Sequence, residues 1–399
     1  MDVNPADSVG RRVAKLRKLR GLTQRQLAER AHFSHQTVQA VEQGKQPPSP
    51  AFTAAAARAL GLGVLDLTGQ PYDSLISRHG TEQAHVPALE QAITEGRHAG
   101  VEGELMSLEE LAACMEAVNV HRRNSRYADV AKELPTLLRQ LHVLARELPL
   151  GNASERAHGL LANAYAQAMS TLHRLGHLSL AGWAGERCMW ASERCGDPLR
   201  VAVADFHQAL ALLNSGGYSV GQRLLDAAAH DIRDLPSTSE TLAVRGSLHL
   251  RSAIIAARSS NPVDAEAHLT EAREMARHVT DGHYYETSFS AANVEIHSVA
   301  VPVELCDGTT AVRRGAELQL PVEVNSSRRG HHYIDLARGW LLHGNREKAL
   351  KTLNRARRIT PQLTRYHPTV RETVMALVST DKRSTESLSN FATWCGIRT

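Results

Sequence analysis

The stretch VAKLRKLRGLTQRQLAERAHFSHQTVQAVEQGKQPPSP, Val13–Pro50, decides the fold of the N-terminal region. Apolar side chains recur every three or four residues up to Gly21, which predicts an amphipathic helix over Val9–Arg20. Thr23 stands three residues before Gln26, the spacing of a capping box at the start of a second helix. Short helices with separate start and stop signals predict a small all-α domain.

The third predicted helix begins after Ser34 and ends at Gly44. Its valines fall on one edge of a helical wheel, and polar side chains occupy the opposite edge. Gln can bond adenine in a bidentate way, and His can donate to guanine or to a phosphate, so this edge suits DNA. A solvated polar face is the alternative. The polar residues are His35, Gln36, Gln39 and Gln43.

Positive charge is concentrated in the same region. Of 46 Lys+Arg and 42 Asp+Glu, residues 1–67 hold ten and five, which leaves 36 and 37 for the rest of the 399 residues. A basic patch on an otherwise neutral chain is typical of a small nucleic-acid-binding module. The 39 Arg against seven Lys indicate a GC-rich genome, and we expect an actinobacterial source.

Composition also limits the cellular context. The five cysteines form no CxxC pair, which favours reduced thiols, and no run approaches the ~18 apolar residues of a membrane span. We expect a cytoplasmic protein that is nucleoid-associated when bound to DNA and has no membrane partner. Among the 21 His residues, His331 and His332 are adjacent and so do not form the i, i+4 pair that zinc needs, and no catalytic or phosphate-loop motif occurs. We therefore predict no enzyme activity, no cofactor and no metal.

Beyond a predicted linker at residues 68–104, long Ala- and Leu-rich segments alternate with short breaks as far as residue 399. WLLHGNREKALKTLNRARRITP, Trp340–Pro361, has the aromatic, Gly, small, large, small and Pro positions of a tetratricopeptide repeat. Weaker copies are 38 to 46 residues apart, longer than the usual ~34 residues. The sequence thus predicts an α-solenoid of tetratricopeptide-like helix pairs over residues 105–399. The small residues of the copies are Ala181, Gly221, Ala265, Ala311 and Ala349.

The inner face of such an array usually binds a peptide or protein segment. Asn is poorly placed inside a helix, so the two Asn on this face are predicted to bond an extended ligand or, alternatively, a neighbouring helix. The predicted effector-binding residues are Asn163, Ser170, His173, Asn293, His331 and Arg338.

LRxxRGLTQ (Leu16–Gln24), the Ser34 cap, ExGK (Glu42–Lys45) and PxxxF before the fourth predicted helix resemble the XRE family of phage-repressor-like helix-turn-helix domains. The resemblance covers residues 9–67 and implies a five-helix DNA-binding domain. His32 departs from it, because the family usually has Gly at this turn position, which favours a left-handed backbone.

The resemblance also implies roles for single residues. His35, Gln36 and Gln39 match positions that read bases. Phosphate contacts are implied for Gln24, Gln43 and Lys45, and Arg11, Arg12 and Arg25 are further candidates that a solvated basic face explains equally well. Arg17 and Glu42 match a structural pair that bridges the first and third helices.

The layout resembles quorum-sensing peptide receptors, which join such a domain to tetratricopeptide repeats. It predicts a transcriptional regulator, a homodimer on a palindromic operator in double-stranded DNA, whose array binds a peptide or small-molecule effector. One alternative is an antitoxin-like regulator whose array docks a protein partner. Another is a scaffold with a vestigial DNA-binding domain, which the intact basic patch and helix caps disfavour.

Overall fold

A computed structural model describes residues 8–72, 82–279, 282–380 and 386–397. Every regular element in these ranges is helical, as the sequence predicts. None of the helices described is long and apolar enough to cross a lipid bilayer.

Residues 8–72 contain the five predicted helices. Ser8, Thr23, Ser34 and Ser49 each accept a hydrogen bond from a backbone N–H in the first turn of a helix, and Thr23 forms the predicted capping box with Gln26. His32 has the left-handed backbone that the turn requires, with φ 57°. The helices are α1 (Val9–Leu19), α2 (Gln24–Ala31), α3 (His35–Glu42), α4 (Pro50–Ala59) and α5 (Val64–Thr68).

One apolar core holds these helices together. It includes Val13, Leu27, Val38 and Phe52, all fully buried. The glycine at position 10 lets α1 cross α3 closely, because a Cβ at Gly10 would lie 2.1 Å from a backbone oxygen of α3. Close backbone packing between α1 and α3 therefore fixes the position of α3 and of the polar edge that it presents outward.

The predicted linker differs from a loose segment where the structure describes it. Helix α6 (Val86–Glu95) packs against the long helix α8 (Tyr127–Glu147). Leu89, Ala92 and Ile93 are fully buried in the largest apolar cluster. The packing partners of α6 lie far away in the sequence, so its own short apolar pattern does not reveal this packing.

The rest of the chain is a series of antiparallel helix pairs in which consecutive helices pack against each other. The small residue of each predicted copy is buried and lies on the second helix of its pair, where it allows close approach. Helix α7 (Leu108–Arg123) packs against α8. The pairs that follow are α9 (Asn152–Leu175) with α10 (Leu178–Ser192), α11 (Pro198–Ser215) with α12 (Tyr218–Asp231), α13 (Ser239–Arg258) with α14 (Pro262–Ala276), α15 (Ala291–Glu304) with α16 (Gly308–Gly315), and α17 (Ser326–Leu342) with α18 (Arg346–Ile359).

Three further helices close the array at its C-terminal end: α19 (Pro361–Tyr366), α20 (Pro368–Thr380) and α21 (Glu386–Trp394). The N-terminal helices dock onto the array. Arg58 Nη1 donates to the Gly216 oxygen at 2.7 Å, and the Val9 amide donates to Glu372 Oε1 at 3.2 Å. Ser379 Oγ in α20 donates to the Gly44 oxygen, just after α3, at 3.2 Å. The N-terminal domain thus contacts the array near the start of α1, just after α3 and near the end of α4.

Candidate nucleic-acid interface and effector cavity

The outer edge of α3 presents three polar side chains to solvent. His35, Gln36 and Gln39 are exposed and make no side-chain hydrogen bond to the described part of the chain. Val38 and Val41 on the opposite edge are buried in the domain core. The donors and acceptors of this edge are free to meet the base edges of a DNA major groove.

A charged network under the start of α2 ties α3 to α1. Arg17 Nε and Nη2 donate to the two carboxylate oxygens of Glu42 at 2.6 and 2.9 Å, and Gln24 Nε2 donates to Glu42 Oε2 at 2.8 Å. The hydrogen bond to Glu42 raises the pKa of Arg17 despite its burial. The bond to Glu42 uses one amide hydrogen of Gln24, whose second amide hydrogen and carbonyl oxygen remain available for other bonds. The network therefore also orients the Gln24 side chain, which is predicted to contact phosphate.

The other predicted phosphate-contacting side chains lie around α3. Gln43, Lys45, Arg11 and Arg25 are all exposed, and Arg25 has only a loose contact of 3.3 Å with Glu29.

The suggestion of a phosphate contact for Arg12 is wrong. Its side chain is buried and Nη1 donates to the Leu67 oxygen at 3.2 Å. Its guanidinium packs against Gly69, whose φ of 72° favours glycine. Arg12 therefore holds α5 against α1.

A cavity of about 250 Å³ lies where the docked domain meets the inner side of the array. The domain contributes apolar and small polar groups, among them Val9, Pro50, Thr53 and Val64. Helices α9, α11, α13, α15, α17 and α20 contribute most of the remaining wall, which combines apolar side chains with many polar and charged ones. The cavity is therefore shared between the two domains.

Four of the six predicted effector residues line this cavity: His173, Asn293, His331 and Arg338. Asn163 and Ser170 do not line it. Asn163 meets neither prediction, because its Oδ1 accepts a hydrogen bond from Gln167 Nε2 at 2.9 Å within its own helix α9. Asn293 is different, since its buried Oδ1 has no partner among the described residues.

A buried carboxylate organises one side of the cavity. Glu304 accepts from Arg258 Nε at 3.0 Å and from Arg338 Nη1 at 3.0 Å. Although burial opposes it, the charge of these two arginines holds the pKa of Glu304 at about 2. Arg338 also lies 3.8 Å from Asp335. Arg338 is thus neutralised by the protein itself and is not free for an effector.

Burial also sets the protonation state of the imidazoles in the wall. It lowers the pKa of His173 and His297 to about 3, and that of His331 well below 6.5. These rings are neutral at pH 7 and offer one donor and one acceptor each.

Comparison with known proteins agrees with the N-terminal geometry. A helix-turn-helix domain family model matches residues 8–68. The immunity repressor protein of Bacillus phage phi105 is 29% identical over 134 residues, which span 30% of this chain and 92% of the repressor. Residues 8–68 form an XRE-like helix-turn-helix domain. The protein is a DNA-binding regulator of the helix-turn-helix class.

Two crystal structures align with most of this regulator. BtubC (BKLC) from P. vanneervenii is 15% identical, with a TM-score of 0.34 over 70% of this chain and 97% of BtubC. PlcR from Bacillus thuringiensis, in complex with the peptide PapR7 and DNA, is 16% identical, with a TM-score of 0.27 over 67% of this chain and 94% of PlcR. Scores this low do not establish a common arrangement of the helices.

The sequence pattern missed most of the cavity wall of the regulator. Glu304 carried a signal, because a single acidic residue ends the apolar run VAVPVE at 299–304. The basic residues carried none, since each stands in a helix that reads as an ordinary amphipathic segment. These residues are Arg174, Arg251, Arg258 and Arg328, with His297 and His367.

Proposed function

We propose that this regulator binds an effector in the cavity between its two domains, and that the bound effector changes its affinity for operator DNA. The observation that carries the proposal is the shared wall, because Val9 and Pro50 of the helix-turn-helix domain face the same space as Asn293 and His331 of the array. A ligand in this space contacts both domains at once.

Contact with both domains supplies the energetic coupling that regulation needs. A ligand shifts a conformational equilibrium only if it binds the two states differently. When the domain leaves its docked position, its share of the wall is lost, so the docked and undocked states differ in effector affinity. If the two states also differ in operator affinity, effector binding and operator binding share one coupling free energy. The effector-bound protein and the effector-free protein then differ in operator affinity by that coupling free energy.

The docked position also bears on the DNA interface. Ser379 bonds the Gly44 oxygen in the loop after α3, and Arg11 and Gln43 line a crevice between this loop and α20. Two of the predicted phosphate-contacting residues therefore lie at the edge of the domain contact. A change in docking alters the space available to a DNA backbone at this edge.

The recessed shape of the cavity favours a small effector over a docked protein partner. The cavity lies between helices of the array and the helix-turn-helix domain. A protein partner would require a wide surface, typically ~800 Å² on each side.

We further propose that the regulator acts as a homodimer on a palindromic operator. One small domain reads only a few base pairs and neutralises few phosphates, so two half-sites about one helical turn apart supply the affinity of specific binding. Light scattering of the full chain and footprinting on a selected operator test this: a monomer that protects a single half-site contradicts it.

A cavity-filling substitution tests effector coupling without touching α3. Ala300 lines the cavity, and Ala291 is exposed on the same helix α15. We expect Ala300→Phe to change the Kd for an operator selected from random DNA by on the order of tenfold, and Ala291→Phe to leave it unchanged. An unchanged Kd in a folded Ala300→Phe protein contradicts the coupling.

A further inference from the structure

Three arginines in the cavity wall form no ion pair with any residue that the structure describes. Arg174, Arg251 and Arg328 come from α9, α13 and α17. None of their guanidinium groups forms an ion pair or a hydrogen bond with a described residue. Arg251 stacks on the ring of Phe206, with Cζ 4.3 Å from its centroid, and this contact satisfies no N–H group. By contrast, Arg258 and Arg338 share Glu304.

The same three groups repel one another in a buried setting. Burial, together with the charges of Arg328 and Arg174, lowers the pKa of Arg251 to about 9. Burial, with the charge of Arg174, lowers the pKa of Arg328 to about 10. Burial also lowers the pKa of Arg174. All three remain positive at pH 7, so the wall keeps a cluster of like charge that no ion pair within the described residues balances, and this opposes folding.

Asp335 and Glu372 lie nearby and offset part of this charge at pH 7, but neither forms an ion pair with any of the three arginines. Burial raises the pKa of Asp335 to about 6, against the effect of Arg338. Burial raises the pKa of Glu372 to about 7, and this carboxyl already accepts from the Val9 amide at the far side of the cavity.

Further polar atoms in the wall lack partners. Nε of Arg251 and Nε of Arg328 are buried and bond to nothing in the described protein. The same holds for His173 Nδ1 and His331 Nε2. Buried polar atoms are nearly always hydrogen-bonded, so a group of orphan donors around one space marks a binding site for an acceptor.

The size of the cavity limits the ligand. At about 250 Å³ it lies below the roughly 300–1,000 Å³ typical of pockets for drug-sized ligands. A compact molecule fits such a space, whereas an extended peptide of several residues does not. Guanidinium groups bind carboxylate and phosphate oxygens in a bidentate way, which sets the chemistry of the group that fits between them.

We propose that the cavity binds a compact organic anion, whose carboxylate or phosphate group lies between Arg174, Arg251 and Arg328. The inference deepens the proposed function, because it names the chemical class of the effector in the same cavity. Of the two effector classes that the sequence predicts, a peptide or a small molecule, it selects the small molecule and adds that this molecule is an anion.

Thermal unfolding of the full chain tests the proposal, with citrate as the carboxylate probe and inorganic phosphate as the phosphate probe. Each is titrated at constant ionic strength into the natural protein and into Arg251→Gln and Arg328→Gln. Two controls are Arg223→Gln, on the exposed face of α12, and Lys45→Ala, which removes a cation from the DNA face. Both anions also stabilise proteins non-specifically, so the difference between variants is the readout.

We expect at least one probe to raise the unfolding midpoint of the natural protein in a saturable manner. The apparent Kd should rise roughly tenfold or more in both cavity variants and stay unchanged in both controls. The probe that binds more tightly distinguishes a carboxylate from a phosphate ligand. Because each cavity variant removes a repelling buried charge, it should unfold at or above the midpoint of the natural protein when no anion is added.

Two outcomes overturn the anion proposal: no saturable shift with either probe, or equal shifts in the natural protein and both cavity variants. If Ala300→Phe still alters operator affinity in that case, effector sensing stands and only the anionic class is rejected. If Ala300→Phe has no effect while the anion shift depends on Arg251 and Arg328, the cavity binds an anion without controlling DNA binding.

Discussion

The outer edge of α3 and the wall of the cavity both contain polar side chains without partners among the described residues, but the energetic cost differs greatly between them. His35, Gln36 and Gln39 lie in water, so leaving them unpaired costs the fold nothing. Arg251 and Arg328 are enclosed, and their unpaired charge opposes folding. A binding surface on the outside of a protein is therefore compatible with full stability, whereas one built inside makes the protein less stable than it could be.

The largest expected effect is on acid stability, because many imidazoles of the cavity are held neutral. Burial lowers the pKa of His173 and His297 to about 3, and those of His331 and His367 well below 6.5. Below pH 6.5 the unfolded chain therefore binds protons that the folded chain does not, and stability falls as the pH falls.

Two carboxyls oppose this trend over part of the range. The raised pKa values of Asp335 and Glu372 favour the folded state as the pH falls to about 4.5. We expect the unfolding midpoint to decline below pH 6.5 and more steeply below about pH 4.5. His297→Gln should make the decline shallower. A midpoint that is constant from pH 7 to pH 4 contradicts this account.

The next largest effect should come from the buried charged network of the helix-turn-helix domain. In the natural pair, the Arg17 side chain is 9% exposed and the Glu42 side chain is 4% exposed. Glu42→Ala leaves the buried Arg17 without its partner and should destabilise the domain by about 3–5 kcal/mol. Hydrogen exchange of peptides from residues 8–68 measures the loss. The matched change is Glu29→Ala, whose pair with Arg25 is 83% and 65% exposed for Arg and Glu and should contribute less than about 1 kcal/mol. Equal losses would show that burial does not distinguish the two pairs.

Removing a base-reading side chain of α3 should weaken DNA binding without lowering the stability of the fold. Gln36→Ala removes an exposed side chain, so the unfolding midpoint should not change, while binding to the selected operator should weaken by about 1–3 kcal/mol. Competition titrations against operator and random DNA give both affinities. A loss of the same size on random DNA would remove Gln36 from the base-reading set.

The smallest effect is expected for a phosphate contact. Lys45→Ala should weaken binding to operator and random DNA alike, and the slope of log Kd against log salt concentration should fall by about 1. Lys45 is exposed, so stability should again be unchanged. An unchanged salt dependence would mean that this side chain stays in solvent when DNA is bound.

The outer edge of α3 and the cavity wall also differ in how well the sequence predicts them. The exposed edge of α3 was predictable because one short helix places Val38 inward and Gln36 outward by its own periodicity. The helix pairs were predictable for the same local reason, since Ala349 and its counterparts mark close helix contacts.

The sequence predicted four residues of the cavity wall, but its cluster of three arginines was not predictable from local pattern. Arg174, Arg251 and Arg328 lie on three separate helices, and each resembles a surface arginine until the array brings them together. Arg12 shows the reverse case, because a basic residue beside the DNA-binding helices is turned inward by its bond to the Leu67 oxygen. The docking of the helix-turn-helix domain also depends on distant pairs such as Arg58 with Gly216.

The central claim is that occupation of the cavity controls DNA binding. The most direct measurement is the Kd of the full chain for its selected operator, with and without saturating citrate at constant ionic strength, in the natural protein and in Arg328→Gln. The account predicts a change of on the order of fivefold or more in the natural protein and none in the variant. An identical response in both proteins, or no response in the natural protein, would contradict it.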